Sequence, residues 1–383
     1  MAKYKFEDIA INSKLKKKPV EEDKYHYIGL EHLDSGSLEV TRYGSEVAPK
    51  GEKLIMKKGD VLFGKRRAYQ KKVGIAPFDG IFSAHGMVLR PKENVIDKNF
   101  FPLFISSDYF LDAAIKISVG SLSPTINWGD LKELEFELPG LDEQRKLAKI
   151  LWAAEETKQA YKTLLQKTDD LAKAKFEEMF GANEIKKFNK KPIIEVIEKP
   201  ISGEWGTDDI SGNGIKVLRT TNFTDYGTID YGDVITRNIE GNKIKNKLLE
   251  DCDIIIEKSG GSDTKPVGRV VYYKDNNELY LVNNFTAILR KKEENINSDY
   301  LFYFLYNAYW NGKTRLFENK TTGIHNLKLQ EYLSNTNIAI PPLNLQEQFS
   351  KIFNNAEQSK QQLQKSLDSL NAMMKALINE NLK

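Results

Sequence analysis

Nothing in this sequence brings together a nucleophile, a base and an orienting group, the minimum set for most hydrolytic or transfer chemistry. No glycine-rich loop ends in Lys-Ser/Thr to cradle a phosphate, and no spacing of His or Cys matches a zinc site. The four histidines (His26, His32, His85 and His325) are scattered, and Cys252 is the single cysteine, which excludes an intrachain disulfide and a thiolate metal cluster. Gly212-Asn213-Gly214 lacks the strand-turn-helix setting of a dinucleotide fingerprint and reads as a loop. Asp253 and Glu257 fall four apart in a predicted strand, so they share a face. A lone carboxylate pair of this kind reads as solvated or salt-bridged rather than as a metal site.

The residues with chemistry to offer are instead binding residues. Lys65-Arg66-Arg67-Ala68-Tyr69-Gln70-Lys71-Lys72 follows a predicted strand end and gathers five cations around one aromatic ring and one amide. Lysine and arginine there would neutralise phosphates, and arginine and glutamine can also read base edges in a DNA major groove. A solvated basic loop has the same composition. The candidates are Lys65, Arg66, Arg67, Gln70, Lys71 and Lys72. A second polar loop, Gly120 to Asn127, adds Ser121, Thr125 and Asn127. Two later loops share this character. Glu257 to Lys265 offers Lys258, Ser259 and Lys265, and Asn319 to Asn326 offers Lys320, Thr321, Thr322 and His325. Hydroxyls, amides and flexible backbone suit phosphate contact, and they also simply make turns.

These loops hang on elements that occur twice. Residues 88–110 align with 288–310 without a gap, so that Leu89, Arg90, Lys92, Glu93, Ile96, Phe104 and Tyr109 recur as Leu289, Arg290, Lys292, Glu293, Ile296, Phe304 and Tyr309. Gly59-Asp60-Val61-Leu62 is answered by Cys252-Asp253-Ile254-Ile255, and Val73-Gly74 by Val267-Gly268. Pro139, Leu141 and Gln144 return as Pro341, Leu343 and Gln346. The offset drifts from about 193 to 202, so one fold has been duplicated and its loops have diverged in length. Divergent loops on a retained scaffold suit two domains doing the same job on different targets. Within each copy, short β-rich runs are punctuated by glycine turns. An aromatic-rich helix follows, predicted over 100–110 and 300–310, with its rings in the core.

Each copy then ends in a long helix. Leu147, Ile150, Ala154, Thr157, Tyr161, Leu164, Thr168 and Leu171 fall at alternating steps of three and four, as do Phe349, Ile352, Ala356, Ser359, Leu363, Ser366, Leu370, Met373 and Leu377. That spacing is a coiled-coil seam. Two helices of about 39 residues, each ~58 Å long, would match as an antiparallel pair; separate packing of each on its own domain is the alternative. With 383 residues, 40% hydrophobic and 29% charged, the chain can bury two cores. No apolar run approaches the ~20 residues of a membrane span and the start lacks a signal-peptide core, so no membrane contact and a cytoplasmic location are expected. The net charge of +3 is silent on nucleic acid, which leaves the local patches to decide.

The order of these motifs, repeated with a heptad helix after each copy, resembles the DNA-specificity subunit of type I restriction–modification systems over nearly the whole chain. The likeness is carried by Gly59-Asp60-Val61-Leu62-Phe63 with its polar loop, by the Gly120 to Asn127 stretch, and by Pro139-Gly140-Leu141-Asp142-Glu143-Gln144 at the helix start. Gly203-Glu204-Trp205-Gly206 adds to it. The second copy departs from the pattern with Leu345 in place of the glutamate and Cys252 in place of the glycine. The resemblance implies an α+β chain of two tandem target-recognition domains, 1–141 and 184–343. Spacer helices over 142–183 and 344–383 would form an antiparallel coiled coil. It implies a non-catalytic subunit that reads a split target in double-stranded DNA, bound to two methyltransferase subunits and to restriction subunits. S-adenosylmethionine, ATP and Mg would then sit on those partners, with no cofactor on this chain. Two other readings stay open: a specificity subunit serving a type II restriction enzyme, and a coiled-coil adaptor that binds only proteins.

Overall fold

The computed structural model describes residues 1–274, 277–321 and 324–382, the side chain of Thr321 excepted. The chain forms two units, Met1–Leu164 with Leu363–Lys383, and Leu165–Gln362.

In the first unit an antiparallel sheet runs in the order Ala10–Ser13, Met87–Pro91, Val61–Phe63, Val73–Ile75. A second sheet runs Lys16–Lys17, Lys53–Met56, Gly80–Phe82, Tyr27–Ile28, with only the last pair parallel. The second unit repeats the first sheet and the parallel pair of the second, but its antiparallel neighbour joins that pair beside Ile215–Leu218, the counterpart of Tyr27–Ile28, and not beside Tyr280–Val282. One sheet runs Ile201–Ser202, Thr286–Leu289, Ile254–Glu257, Val270–Tyr272; the other runs Thr207–Asp208, Ile235–Asn238, Ile215–Leu218, Tyr280–Val282, again with a parallel last pair. The unbroken apolar runs of the central strands follow from burial on both faces. Val61 and Phe63 enter the helix-side core while Leu62 enters the core of the other face; Ile254 and Ile256 oppose Ile255 in the same way.

The turn into each central strand explains the duplicated Asp and Arg. Gly59 has φ +89° and Cys252 φ +68°, so the position that varies between glycine and cysteine is left-handed in both copies. The buried Asp60 accepts from Lys57 N at 2.7 Å and pairs with Arg90 through two bonds of 2.7 Å. Asp253 accepts from Glu250 N at 2.8 Å and pairs with Arg290 at 2.9 and 2.8 Å. Asp253 is therefore not one half of a carboxylate site shared with Glu257. Its charge is spent inside the fold, where both oxygens have donors.

The aromatic helix expected over 100–110 is two helices, Phe100–Ser106 and Asp108–Lys116. Ser107 breaks them because its Oγ accepts from Phe110 N and caps the second. Its counterpart is unbroken, over Ser298–Trp310.

The long helices are Leu141–Phe180 and Leu343–Asn381. Each start is tied to its unit by a buried glutamine. Gln144 accepts from Asp97 N at 2.8 Å and donates to Val95 O and Pro139 O at 3.1 and 2.9 Å. Gln346 accepts from Asn297 N at 2.8 Å and donates to Asn295 O and Pro341 O at 2.9 and 2.8 Å. In the first unit Leu147 and Leu151 share a core with Leu382, against which Met374 and Ile378 pack. In the second, Phe176 meets Phe349 with ring centroids 5.2 Å apart, and Lys360 Nζ reaches Asp169 at 2.6 Å. Within each unit the start of one long helix thus packs with the end of the other, an antiparallel pairing.

The phase of the seam differs from the one expected. The inward line is Leu147, Leu151, Ala154, Lys158, Tyr161, Leu165, Thr168, Ala172, while Ile150, Thr157, Leu164 and Leu171 are exposed. Its counterpart is Phe349, Phe353, Ala356, Lys360, Leu363, Leu367, Leu370, with Ser359, Ser366 and Met373 exposed. Alternations of three-four and four-three share every second residue, and neighbours such as Ile150-Leu151 and Leu164-Leu165 satisfy both. Lys158, absent from the expected line, is buried beside Glu155, just as Lys360 lies beside Glu357. Among the described residues no helix is long and apolar enough to cross a membrane.

Candidate nucleic-acid interface

Three loops converge in the first unit. The backbone leaves Val61–Phe63 through Gly64 and Lys65, and Lys65 O accepts from Ile126 N at 2.9 Å. Arg66 N donates to His85 O at 3.3 Å, in the turn before Met87–Pro91, and Arg66 also bridges Thr125. The predicted loops 65–72 and 120–127 are therefore one surface, joined by the turn that carries His85. Arg66 lies across it, with Nε donating to Ser123 Oγ at 3.0 Å and a terminal nitrogen 3.4 Å from His85 Nε2. Burial and the charges of Arg66, Lys65 and Lys53 hold His85 below its usual value, so it stays neutral at pH 7. Arg67 is exposed on a left-handed backbone (φ +55°), and Tyr69 and Leu122 are exposed beside these loops, Leu122 almost entirely.

Not every cation of the loop faces outward. Lys71 Nζ is held by Asp108 and Asp112, each at 2.7 Å, and these carboxylates raise its pKa. Lys72 Nζ donates to Leu30 O at 2.6 Å. Both lysines brace the loop from behind, which leaves Lys65, Arg66 and Arg67 as its outward charge. Gln70 is half-buried, and its carbonyl accepts from Ser35 Oγ. Ser121 is exposed, Thr125 half-buried, and Asn127 exposed at the start of the short helix Trp128–Leu131.

The second unit uses the same ties. Lys258 O accepts from Leu327 N at 2.7 Å, and Ser259 N donates to Phe285 O at 3.2 Å. Here the polar loop is a hairpin, Glu318–Thr321 with Ile324–Leu327, and Ser259–Gly261 adds to it as a third strand. Ser259 Oγ donates to Asn326 Oδ1, Lys258 Nζ donates to Ser202 Oγ at 3.0 Å, and burial lowers the Lys258 pKa. Lys265 is exposed, and Lys320 makes an exposed ion pair with Asp263 at 2.6 Å. His325 is not presented as expected. It is 4% exposed, with Nδ1 3.1 Å from Glu318 and Nε2 3.5 Å from Asp263. Alternation would have placed it, since His325 shares a face with the apolar Leu327. Thr322 and the side chain of Thr321 lie outside the described residues.

His85, Ser123 and Arg269 were missed. Arg269 Nη2 donates to Thr220 O at 2.8 Å and Nη1 to Phe223 O at 3.2 Å, with Glu257 3.7 Å from its Nε. The signal for His85 was its place two residues before the repeated strand. For Arg269, whose partners lie far back in the chain, there was none. Among the described residues no three His, Cys, Asp or Glu side chains gather as a metal site would need.

The family model for the type I restriction modification DNA specificity domain matches this chain twice, over residues 2–168 and 167–371. The EcoDI specificity subunit of Escherichia coli is 29% identical over 148 residues, which cover 38% of this chain and 32% of that protein, about a third of its length. The StySPI specificity subunit of Salmonella potsdam is 21% identical over 366 residues, 88% of this chain and 75% of that one. The crystal structure of a type I restriction–modification S subunit from M. genitalium superposes with a TM-score of 0.59 at 15% identity, covering 100% of this chain and 96% of that one, which establishes likeness of fold.

Proposed function

The chain belongs to the type I restriction–modification DNA specificity family, and from that premise we propose that it is a non-catalytic subunit reading a split double-stranded DNA target, one half with each unit. The observation that carries this reading is the pair of three-loop surfaces. The same backbone bonds hold them, Ile126 N to Lys65 O and Leu327 N to Lys258 O, while the side chains at their tips differ. A fixed frame with variable tips is what two different half-sites require. We further propose that the long helices hold two methyltransferase subunits, with restriction subunits in the larger assembly. Ile150, Leu164, Leu171 and Met373 point out of the seam and offer apolar contact to such partners. S-adenosylmethionine, ATP and Mg would be bound by those partners.

The test is co-expression with the methyltransferase, followed by methylation sequencing of the host genome. A bipartite motif that disappears when this chain is deleted is the expected result. Methyl transfer by the chain alone, or a complex without DNA affinity, would refute it. The latter outcome would favour a protein-binding adaptor, and a fused nuclease–methyltransferase partner would point to the type II arrangement.

A further inference from the structure

The two units differ sharply at the residue where the chain leaves the central strand. The first has Gly64, where a Cβ would come within 3.2 Å of Lys72. The aligned residue of the second unit is Glu257, which is 6% exposed and lines a cleft of about 700 Å³. Arg269 is the cation nearest its carboxylate, but at 3.7 Å the ion pair is longer than a hydrogen bond, and Arg269 spends its terminal nitrogens on Thr220 O and Phe223 O. Acceptor capacity therefore remains on Glu257. Burial pushes its pKa up to about 7, so a donor entering the cleft would supply what lost water no longer does. The exposed Lys265 and Arg315 line the same cleft, as do Tyr309 and the half-exposed Trp310.

Each feature matches one part of a nucleotide. Lys265 and Arg315 suit the phosphodiester, Trp310 offers a face for a base to stack on, and a carboxylate accepts from an exocyclic amine of cytosine or adenine. A carboxylate so deeply covered is out of reach of a base that stays in the stack. We propose that the second unit draws one amino-bearing base of its half-site out of the duplex into this cleft, with Trp310 as the stacking surface and Glu257 as the acceptor. The proposal rests on the reading that this unit recognises DNA. The first unit, with Gly64 at this position, is its internal control.

The test uses the chain assembled with its methyltransferase, and the motif found by methylation sequencing. Duplexes are made with one abasic residue opposite each base of either half-site, in turn. Extrusion costs the pairing of the extruded base, so deleting its partner should tighten binding about tenfold or more; besides the methylated bases, which the methyltransferase itself would extrude, this should happen at one position. That further position should lie in the second half-site and carry cytosine or adenine, and the first half-site should have no position of this kind beyond its methylated base. Trp310→Ala should erase the gain, and Glu257→Gln, which loses the charge and one acceptor oxygen but keeps the other, should reduce it. Glu257→Gln should also relax selectivity at that position while selectivity at the first half-site persists, which shows that the variant is folded. No tightening beyond the methylated bases, or a gain at that further position that survives both variants undiminished, overturns the proposal. A wild-type complex that does not prefer its own motif to random duplex would instead overturn the specificity reading, and this proposal with it.

Discussion

Gln346 offers the most direct test of how the recognition units grip their helices. The side chain is fully buried and makes one accepted and two donated bonds, all between 2.8 and 2.9 Å. Gln346→Met keeps the volume but strands Asn297 N–H and the carbonyls of Asn295 and Pro341. At about 1 kcal/mol net for each lost bond, the variant should lose about 3 kcal/mol. For a unit of this size that corresponds to a fall of about 6–12 °C in the unfolding midpoint. Gln346→Glu keeps the acceptor for Asn297 N–H but turns a carboxylate toward two carbonyl oxygens, with no proton to give them. It should be worse than methionine at pH 7 and recover on acidification, as the protonated acid regains one donor. Scanning calorimetry at pH 7 and pH 5 measures both effects. Because Gln144 has the same partners, with distances of 2.8 to 3.1 Å, the same substitutions there should behave alike. A methionine variant within 1 °C of wild type, or a glutamate variant as stable as wild type at pH 7, would refute the reasoning.

Arg66→Ala with Arg67→Ala should weaken DNA binding by the assembled complex and lower the slope of log affinity against log salt by about 1.8 if each arginine meets one phosphate; parallel salt curves would show a merely solvated loop. Seven residues inserted after Tyr161 and again after Leu363 keep the seam in register and add ~10.5 Å to each helix. Methylation sequencing should then show a gap between half-sites longer by about two to four base pairs with the same bases read, and an unchanged gap would mean that the helices do not set it. Glu257 titrates near 7 in the folded unit against an ordinary 4.5. Between those values the folded state keeps a proton the unfolded chain has released, so this group makes stability fall as pH rises from 4.5 through 7, by up to about 3 kcal/mol. Glu257→Gln should flatten that part of the urea-unfolding profile, and coincident profiles would rule the effect out.

The duplication and the lengths of both long helices were legible because each rests on a pattern that spans many residues. Most of what the sequence concealed was decided by partners far away along the chain, and the break at Ser107 by a local cap. Lys71 looked like Arg66 and Arg67, yet Asp108 and Asp112 pin it from a helix formed some 37 residues later. Ser107 broke a helix that the aromatic pattern alone would continue. The seam's period was readable and its phase was not, since Ile150-Leu151 and Leu164-Leu165 serve either alternation and only the partner helix chooses between them.

The second copy's departures from the motif separate side chains that matter from backbone that matters. Cys252 replaces a glycine, yet the turn keeps its left-handed conformation and Asp253 keeps its arginine, so the motif specifies a backbone shape that Cys252 also adopts. Leu345 replaces the expected glutamate, yet Gln346 keeps all three of its bonds, so the neighbouring carboxylate is not needed to anchor the helix. At the loop the relation reverses. Gly64 and Glu257 stand where the chain leaves equivalent strands, with equivalent backbone ties, and there only the side chain differs. Where substitution leaves bonds intact the position belongs to the frame. A buried carboxylate on an unchanged frame, at a desolvation cost that Arg269 at 3.7 Å only partly offsets, is what a position selected for its ligand would show.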